Sequence, residues 1–129
     1  MHAVVAQYFR YLDTENWNGM REIWHEDGQL RAVGARPREN RDGVIEYFAK
    51  VFASWPEHKD RPVRVVVSAP ERVVTANVQF IGTTQRGHEV IFDAVDVFDI
   101  ATDGRILHLS SWYDIDLARK MIAEPGLEA

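Results

Sequence analysis

The sequence predicts an α+β domain in which helices come first and a meandering antiparallel sheet follows. Three observations carry that expectation. Val4, Val5, Tyr8, Tyr11 and Leu12 recur at helical spacing near the start of the chain. Val44, Tyr47, Phe48, Val51, Phe52 and Trp55 do the same further on. From Val63 onward the chain is β-rich, with its apolar runs separated by turn signals. Helices segregated from a run of strands pack together on one face of a curved sheet.

The first periodic segment predicts a helix over residues 2–13. Asn16 is placed to cap a second, short helix carrying Trp17, Met20, Ile23 and Trp24 on one face and ending near Gly28. Gln29–Val33 reads as a short strand before a loop rich in Arg, Pro, Gly and Asn. Asp42 or Asn40 then caps a third helix, which Pro56 ends, and the segment PEHKDRP reads as a polar loop. The predicted sheet strands are Val63–Ser68, Val73–Ile81, Glu89–Ala101 and Arg105–Asp114. Turns fall at Ala69-Pro70-Glu71, Gln85-Arg86-Gly87 and Asp103-Gly104. Asp116 is placed to cap a last helix, Leu117–Ile122, ahead of a frayed tail.

The hairpin between His88 and Asp114 organises the rest. Asp-Gly between two apolar runs is a strong two-residue turn signal, because both turn positions favour φ > 0. That turn sets Thr102 against Arg105, Ile100 against Leu107, Phe98 against Leu109, Asp96 against Ser111 and Ala94 against Tyr113. Side chains alternate along a strand, so Val90, Phe92, Ala94, Asp96, Phe98 and Ile100 share one face. Asp96 is the one carboxylate on that apolar face. It must be hydrogen-bonded, open onto a wet pocket, or hold a proton. The alternatives are a structural Asp satisfied by backbone amides, or an inverted face with Asp96 in solvent.

The turn at Arg86-Gly87 permits two registers. A two-residue turn sets Asn77 opposite Asp96 and Gln79 opposite Ala94, which adds both amides to the polar row of Asp96, Ser111 and Tyr113. A three-residue loop flips the parity, turning Val74, Ala76, Val78 and Phe80 inward and Asn77 and Gln79 outward.

Composition narrows the function. With 129 residues, 46% of them hydrophobic, the chain reads as a single domain over 1–129 with a core of useful size. No run approaches the ~18–20 apolar residues of a membrane span. MHAVVAQYFRYL lacks the basic and small-residue features of a signal peptide. The absence of cysteine excludes disulfides and thiolate chemistry and fits a cytoplasmic protein. A net charge of −5 argues against nucleic acid. The one basic cluster, Arg36, Arg38 and Arg41, is broken by Glu39 and Asp42 and reads as a solvated loop. The five histidines show no metal-ligand spacing, and the chain has no Gly-rich phosphate loop or nucleophile elbow. A cofactor-free, metal-free protein is expected.

The stretches AQYFRYLDTENWNGMREIWHEDGQL, NRDGVIEYFAKVF and VDVFDIATDGRILHLSSWYDIDLARKM together resemble the NTF2-like superfamily, in its ketosteroid-isomerase and SnoaL-like polyketide-cyclase branch. The resemblance covers nearly the whole chain. It implies a cone of three N-terminal helices on a strongly curved, mostly antiparallel sheet around an apolar pocket, and a homodimer. It also implies hydrogen-bond donors at Tyr8 and Asp96, which match the tyrosine and aspartic acid that face the enolate in ketosteroid isomerases. The isomerase base falls at or near Ala32, which cannot move a proton. The Arg and Asp of limonene-epoxide-hydrolase relatives align with Asn77 and Gln79, and their third carboxylate falls near Tyr113 or Asp114. The looser pattern of SnoaL-like cyclases, one acid/base group in a shaped pocket, is the one this sequence satisfies.

Residue chemistry and resemblance together give candidates. Asp96 is the acid or base, Tyr8 a donor, and Ser111 or Tyr113 orients a water or a substrate oxygen. Trp24, Tyr47, Phe48, Trp55 and Phe92 wall a pocket for a small hydrophobic ligand, with Asn77 and Gln79 beside them if the first register holds. The expected function is a cofactor-independent acid/base enzyme of isomerase, cyclase, dehydratase or epoxide-opening type. The alternative is a non-catalytic small-ligand-binding or dimerisation module. His108, Ser110, Trp112 and Asp114 share the opposite parity and form a candidate dimer face.

Overall fold

The computed structural model of the chain describes residues 1–123, and the tail expected to fray lies outside them. Among the described residues the elements run α1 (His2–Asp13), α2 (Trp17–Ile23), β1 (Trp24–Ala32), β2 (Arg38–Glu39), α3 (Arg41–Phe52), β3 (Glu57–Ser68), β4 (Val73–Thr83), β5 (Glu89–Ile100), β6 (Ile106–Tyr113) and α4 (Ile115–Ala123). One six-stranded sheet has the order β2-β1-β6-β5-β4-β3. Only the β1–β6 pair is parallel. The class is α+β, with the helices on one curled, mostly antiparallel sheet, as expected.

Local chemistry explains the helix starts. The Asn16 side chain accepts from the Gly19 N–H at 2.9 Å, and the Asn40 side chain accepts from the Gly43 N–H at 2.9 Å. Of the two candidate caps for α3, the structure uses Asn40. The last helix is capped by Asp114, whose Oδ1 accepts from the Leu117 N–H at 3.1 Å, and starts earlier than the sequence pattern indicated. Asp116 lies inside it, in the first turn.

The strands correct several boundaries. β1 begins at Trp24 rather than Gln29, and β2, which the sequence hides among charged residues, pairs with it. The segment expected to be the loop PEHKDRP is the first half of β3: Glu57 pairs with Thr83 and Asp60 with Phe80. Register shifts interrupt the ladder between Trp24 and Gln29, between Pro62 and Arg64, and between Asp99 and Ile100. Such bulges bend and twist a strand, which is how a sheet of this size curls around its own face.

Both glycine turns are three-residue loops. The Thr84 N–H donates to the His88 carbonyl at 2.9 Å, and the Gly87 N–H to the Thr84 carbonyl at 2.9 Å. Likewise the Ala101 N–H donates to the Arg105 carbonyl at 2.8 Å, and the Gly104 N–H to the Ala101 carbonyl at 2.9 Å. Gly87 and Gly104 close these loops at φ 81° and 88°. Asp103 does not adopt positive φ, so the turn is not the two-residue one its Asp-Gly pair signals. After Gly87 the β4–β5 ladder runs uninterrupted, pairing Ala76 with Asp96, Asn77 with Val95 and Gln79 with Asp93. After Gly104 Ile100 pairs with Ile106, not Leu107. Leu107 is then bulged out, and the ladder resumes with Asp96 opposite Ser111 and Ala94 opposite Tyr113.

The core fills the concave side. Trp24, Phe98, Met20, Leu30, Ile106 and Leu109 are fully buried there, and Val5, Tyr8, Phe9 and Leu12 of α1 pack into it. Burial of this apolar surface is the main favourable contribution to folding. α1 lies against β3, α3 against β1, and α4 against β5. The His88 ring bonds through Nδ1 to the Ile122 carbonyl at 2.6 Å, fastening the end of α4. No helix among the described residues is long and apolar enough to cross a membrane.

Candidate active site

Helices and sheet do not fill the cone completely. A cavity of about 130 Å³ remains, walled by Leu12, Leu30, Val51, Phe52, Val78 and Leu109. Its mouth is aromatic. Phe80 stacks on Phe92 with ring centres 4.9 Å apart, and Phe92 on Tyr113 at 4.6 Å. Trp55 meets Phe80 edge-on at 5.0 Å, in a space kept open by Gly82, where a Cβ would come within 2.8 Å of both rings. Arg38 lies 4.8 Å above the ring of Tyr47.

Into this apolar space the fold brings Tyr8 from α1, Tyr47 and Phe48 from α3, Trp55 just beyond it, Phe92 and Asp96 from β5, and Ser111 and Tyr113 from β6. Asp96 is 6% exposed, and its Oδ1 has no hydrogen-bond partner. That unpaired oxygen rules out the Asp saturated by backbone amides. Burial pushes the carboxyl up to about 6, and hydrogen bonding by Ser111 holds the rise back. Tyr8 is pushed well above 10 by burial first and by the charge of Asp96 second, so its hydroxyl stays neutral and can donate. Burial also raises Tyr47 and Tyr113.

Three sequence candidates lie elsewhere. Trp24 is buried in the core under Tyr8 and Phe48 and does not reach the cavity. Asn77 and Gln79 point to the outer face, because the three-residue Gln85–Gly87 loop flips their parity with no bulge to restore it. Gln79 instead accepts from the Arg61 guanidinium at 2.8 Å on that outer face. His108 also lies on that face, 3.3 Å from Asp99.

Asp60 is the cavity residue that sequence reasoning missed. It pairs with Phe80 in the register of β3 and β4, so it shares the inward face. Its backbone N–H donates to Asp13 Oδ1 at 2.8 Å. Burial first, then the charges of Asp96 and Asp13, push the Asp60 carboxyl well above its ordinary value, and no hydrogen bond or cation opposes the rise. Residues 57–62 are all polar or proline and carry no apolar alternation, so no local signal marked them as a strand. Among the described residues no three His, Asp or Glu side chains converge closely enough to hold a metal ion.

The profile of the SnoaL-like domain family matches residues 5–109. The chain belongs to that family. Solved structures agree with the fold of this SnoaL-like domain. The epoxide hydrolase/cyclase-like enzyme SalBIII, which has a role in pyran ring formation in salinomycin, is 23% identical, with a TM-score of 0.78 over 89% of this chain and 91% of that one. A proposed SnoaL-like polyketide cyclase from Jannaschia sp. CCS1 is 17% identical, with a TM-score of 0.85 over 95% and 91%. An LEH-like epoxide hydrolase from M. tuberculosis is 15% identical, with a TM-score of 0.79 over 94% and 87%. No curated protein matches the sequence significantly. Ala32 of β1 also lines the cavity.

Proposed function

We propose that this SnoaL-like domain is a cofactor-independent acid/base enzyme acting on a small hydrophobic carbonyl compound, polyketide-like or terpenoid-like in shape. One observation carries this reading: Asp96 presents an unpartnered carboxylate oxygen in an apolar cavity and is raised to about 6. A base of that strength is ionised at neutral pH yet stronger than a solvated carboxylate, which suits proton abstraction beside a carbonyl. Asp96 takes the α-proton, and the electron pair of the broken C–H bond moves onto the carbonyl oxygen. Tyr8 donates to that developing enolate, and the apolar walls strengthen the bond by excluding water. Ser111 and Tyr113 orient the substrate oxygen from β6. Reprotonation at another carbon gives isomerisation, attack on a second carbonyl gives cyclisation, and loss of a β-hydroxyl gives dehydration. Opening of an epoxide uses the same pair on a hydroxyl and a ring oxygen. The flat rim of Trp55, Phe80, Phe92 and Tyr113 favours fused-ring substrates.

The test is exchange of the α-protons of 2-tetralone, a small fused-ring ketone, into D₂O, followed by proton NMR. Wild-type protein should accelerate exchange above buffer, and Asp96→Asn should lower that acceleration by about 100-fold or more. Exchange no faster than buffer, equal in the two proteins, would leave the non-catalytic ligand-binding module as the better account. The domain is further proposed to work as a homodimer through the outer sheet face, where Val63, Val95 and Trp112 are 63%, 41% and 47% exposed. Sedimentation velocity at micromolar concentration decides this: a monomer there removes the dimer.

A further inference from the structure

We infer that Asp60 is a second catalytic carboxylate, the proton donor that faces Asp96 across the cavity and protonates the substrate oxygen while Asp96 takes the proton from carbon. The inference rests on the carbonyl reading above and gives that site its acid. Three structural facts carry it. Asp60 lines the same cavity as Asp96, Tyr8, Ser111 and Tyr113, from the edge strand β3, which is separated from the strand of Asp96 by β4. The bulge between Pro62 and Arg64 sets the inward parity of the first half of β3, so the register that turns Asp60 inward is built into the strand. The Asp60 backbone is tied to the Asp13 carboxylate of α1, which fixes the main chain from which the side chain projects.

The electrostatics assign the roles. Asp60 and Asp96 are two carboxylates on two strands around one apolar cavity, with the half-buried Asp13 beside them on α1, and such groups do not all ionise together. The charges of Asp96 and Asp13 both raise Asp60. Burial raises Asp13, and the backbone N–H of Asp60 and the charges of His58 and Lys59 hold that rise back. Tyr8 on α1 feels both Asp96 and Asp60, and Tyr113 on β6 feels Asp60 and Tyr47. Ser111 holds back the rise of Asp96, while the charges of Asp96 and Asp13 add to that of Asp60, so Asp96 takes the part of the base and Asp60 that of the acid.

The step balances without a co-reactant. The α C–H bond breaks and its proton goes to Asp96, while its electron pair forms the new C=C bond. The carbonyl π pair takes the proton from the Asp60 carboxyl, which leaves an enol, a neutral Asp96 and an ionised Asp60. Proton return from Asp96 to Asp60 through water at the cavity mouth resets the pair.

The experiment follows 2-tetralone exchange against pH for wild type, Asp60→Asn, Asp60→Glu and Asp96→Asn, with ¹³C NMR titration of aspartate carboxyls in each. Wild type should give a bell-shaped profile, rising near pH 6 and falling at higher pH. Asp60→Asn should lower kcat about 30-fold or more, with KM within about threefold, and should lose the falling limb. Asp60→Glu should restore part of the rate and that limb, and the Asp60 carboxyl should titrate lower in Asp96→Asn, where the charge that raises it is gone. An Asp60→Asn protein that is folded by its NMR spectrum and keeps wild-type kcat and both limbs overturns the assignment of Asp60, while Asp96 stands if Asp96→Asn is inactive. Loss of activity in both Asp60 variants, with an Asp60 titration that does not move in Asp96→Asn, also overturns it and makes Asp60 structural. Wild-type protein inert toward the probe fails the carbonyl reading and this inference together, an outcome distinct from either of those.

Discussion

The two glycine hairpin loops of this domain are nearly the same turn with opposite consequences. Gln85–Gly87 and Thr102–Gly104 are both three-residue loops closed by a glycine in the left-handed region. Past the first, the ladder continues without interruption, and Asn77 and Gln79 end on the outer face. Past the second, Leu107 bulges out, and the parity that would have turned Ser111 and Tyr113 away from the cavity is restored. A strand alternates with period two, so one extra residue exchanges its entire set of inward side chains. The inward placing of Ser111 and Tyr113 therefore depends on a single bulge, and not on the turn beside it.

Leu109→Asp is the harshest test of that comparison. The bulge turns Leu109 inward opposite Phe98, where it is 1% exposed. A carboxylate there should lower stability to urea by more than about 3 kcal/mol, or the cooperative transition should vanish. A loss within about 1 kcal/mol would show that Leu109 faces out and that the bulge does not set the face.

Asp96→Leu comes next, with the opposite sign. A carboxyl raised to about 6 in the fold, against 3.8 when unfolded, leaves stability intact below about pH 4. Stability is then lost as pH rises toward 6, because the folded state holds the proton more tightly than the unfolded chain. The loss amounts to up to about 3 kcal/mol at neutral pH. Replacing Asp96 by Leu should thus raise the unfolding midpoint at pH 7, and the gain should shrink toward zero at pH 4. A lower midpoint at pH 7 would mean that Asp96 supports the fold through partners the cavity does not reveal.

The loops themselves should respond equally. A Cβ at Gly87 or Gly104 meets nothing within 4 Å, so only backbone strain opposes alanine. Gly87→Ala and Gly104→Ala should each cost about 1 kcal/mol by chemical denaturation. Unequal losses would show that the two turns are not equivalent. The smallest effect belongs to Asn77→Ala on the outer face, which should change stability by less than about 0.5 kcal/mol and leave 2-tetralone exchange unaltered. A marked loss of exchange would return Asn77 to the site.

Much of the fold was legible because its signals are local. Helix starts at Asn16 and Asn40 follow from side chains that reach N–H groups three residues on, and the apolar stripes of α1 and α3 follow from helical periodicity. The pairing of Asp96 with Ser111 was also read correctly, although for an incomplete reason. The turn was taken one residue too short, and the bulge supplied the missing residue. The same assumption at Gly87 failed for Asn77 and Gln79, because nothing there compensated. Trp24 fits either a pocket wall or a core by spacing alone, and the packing of α1 and α3 over it decided for the core.

By itself, then, the sequence determined the α+β class, the helices, the hairpin order and an inward carboxylate at Asp96. Each rests on contacts between residues close in the chain or on a strict alternation. Only the tertiary structure decided the parallel pairing of β1 with β6, the extension of β3 through a charged segment, the outward turn of Asn77 and Gln79, and the presence of Asp60 in the cavity. These depend on bulges and on strands distant in sequence. An extra residue is chosen there by how the whole sheet closes around its core, and that free energy is not written in any local pattern.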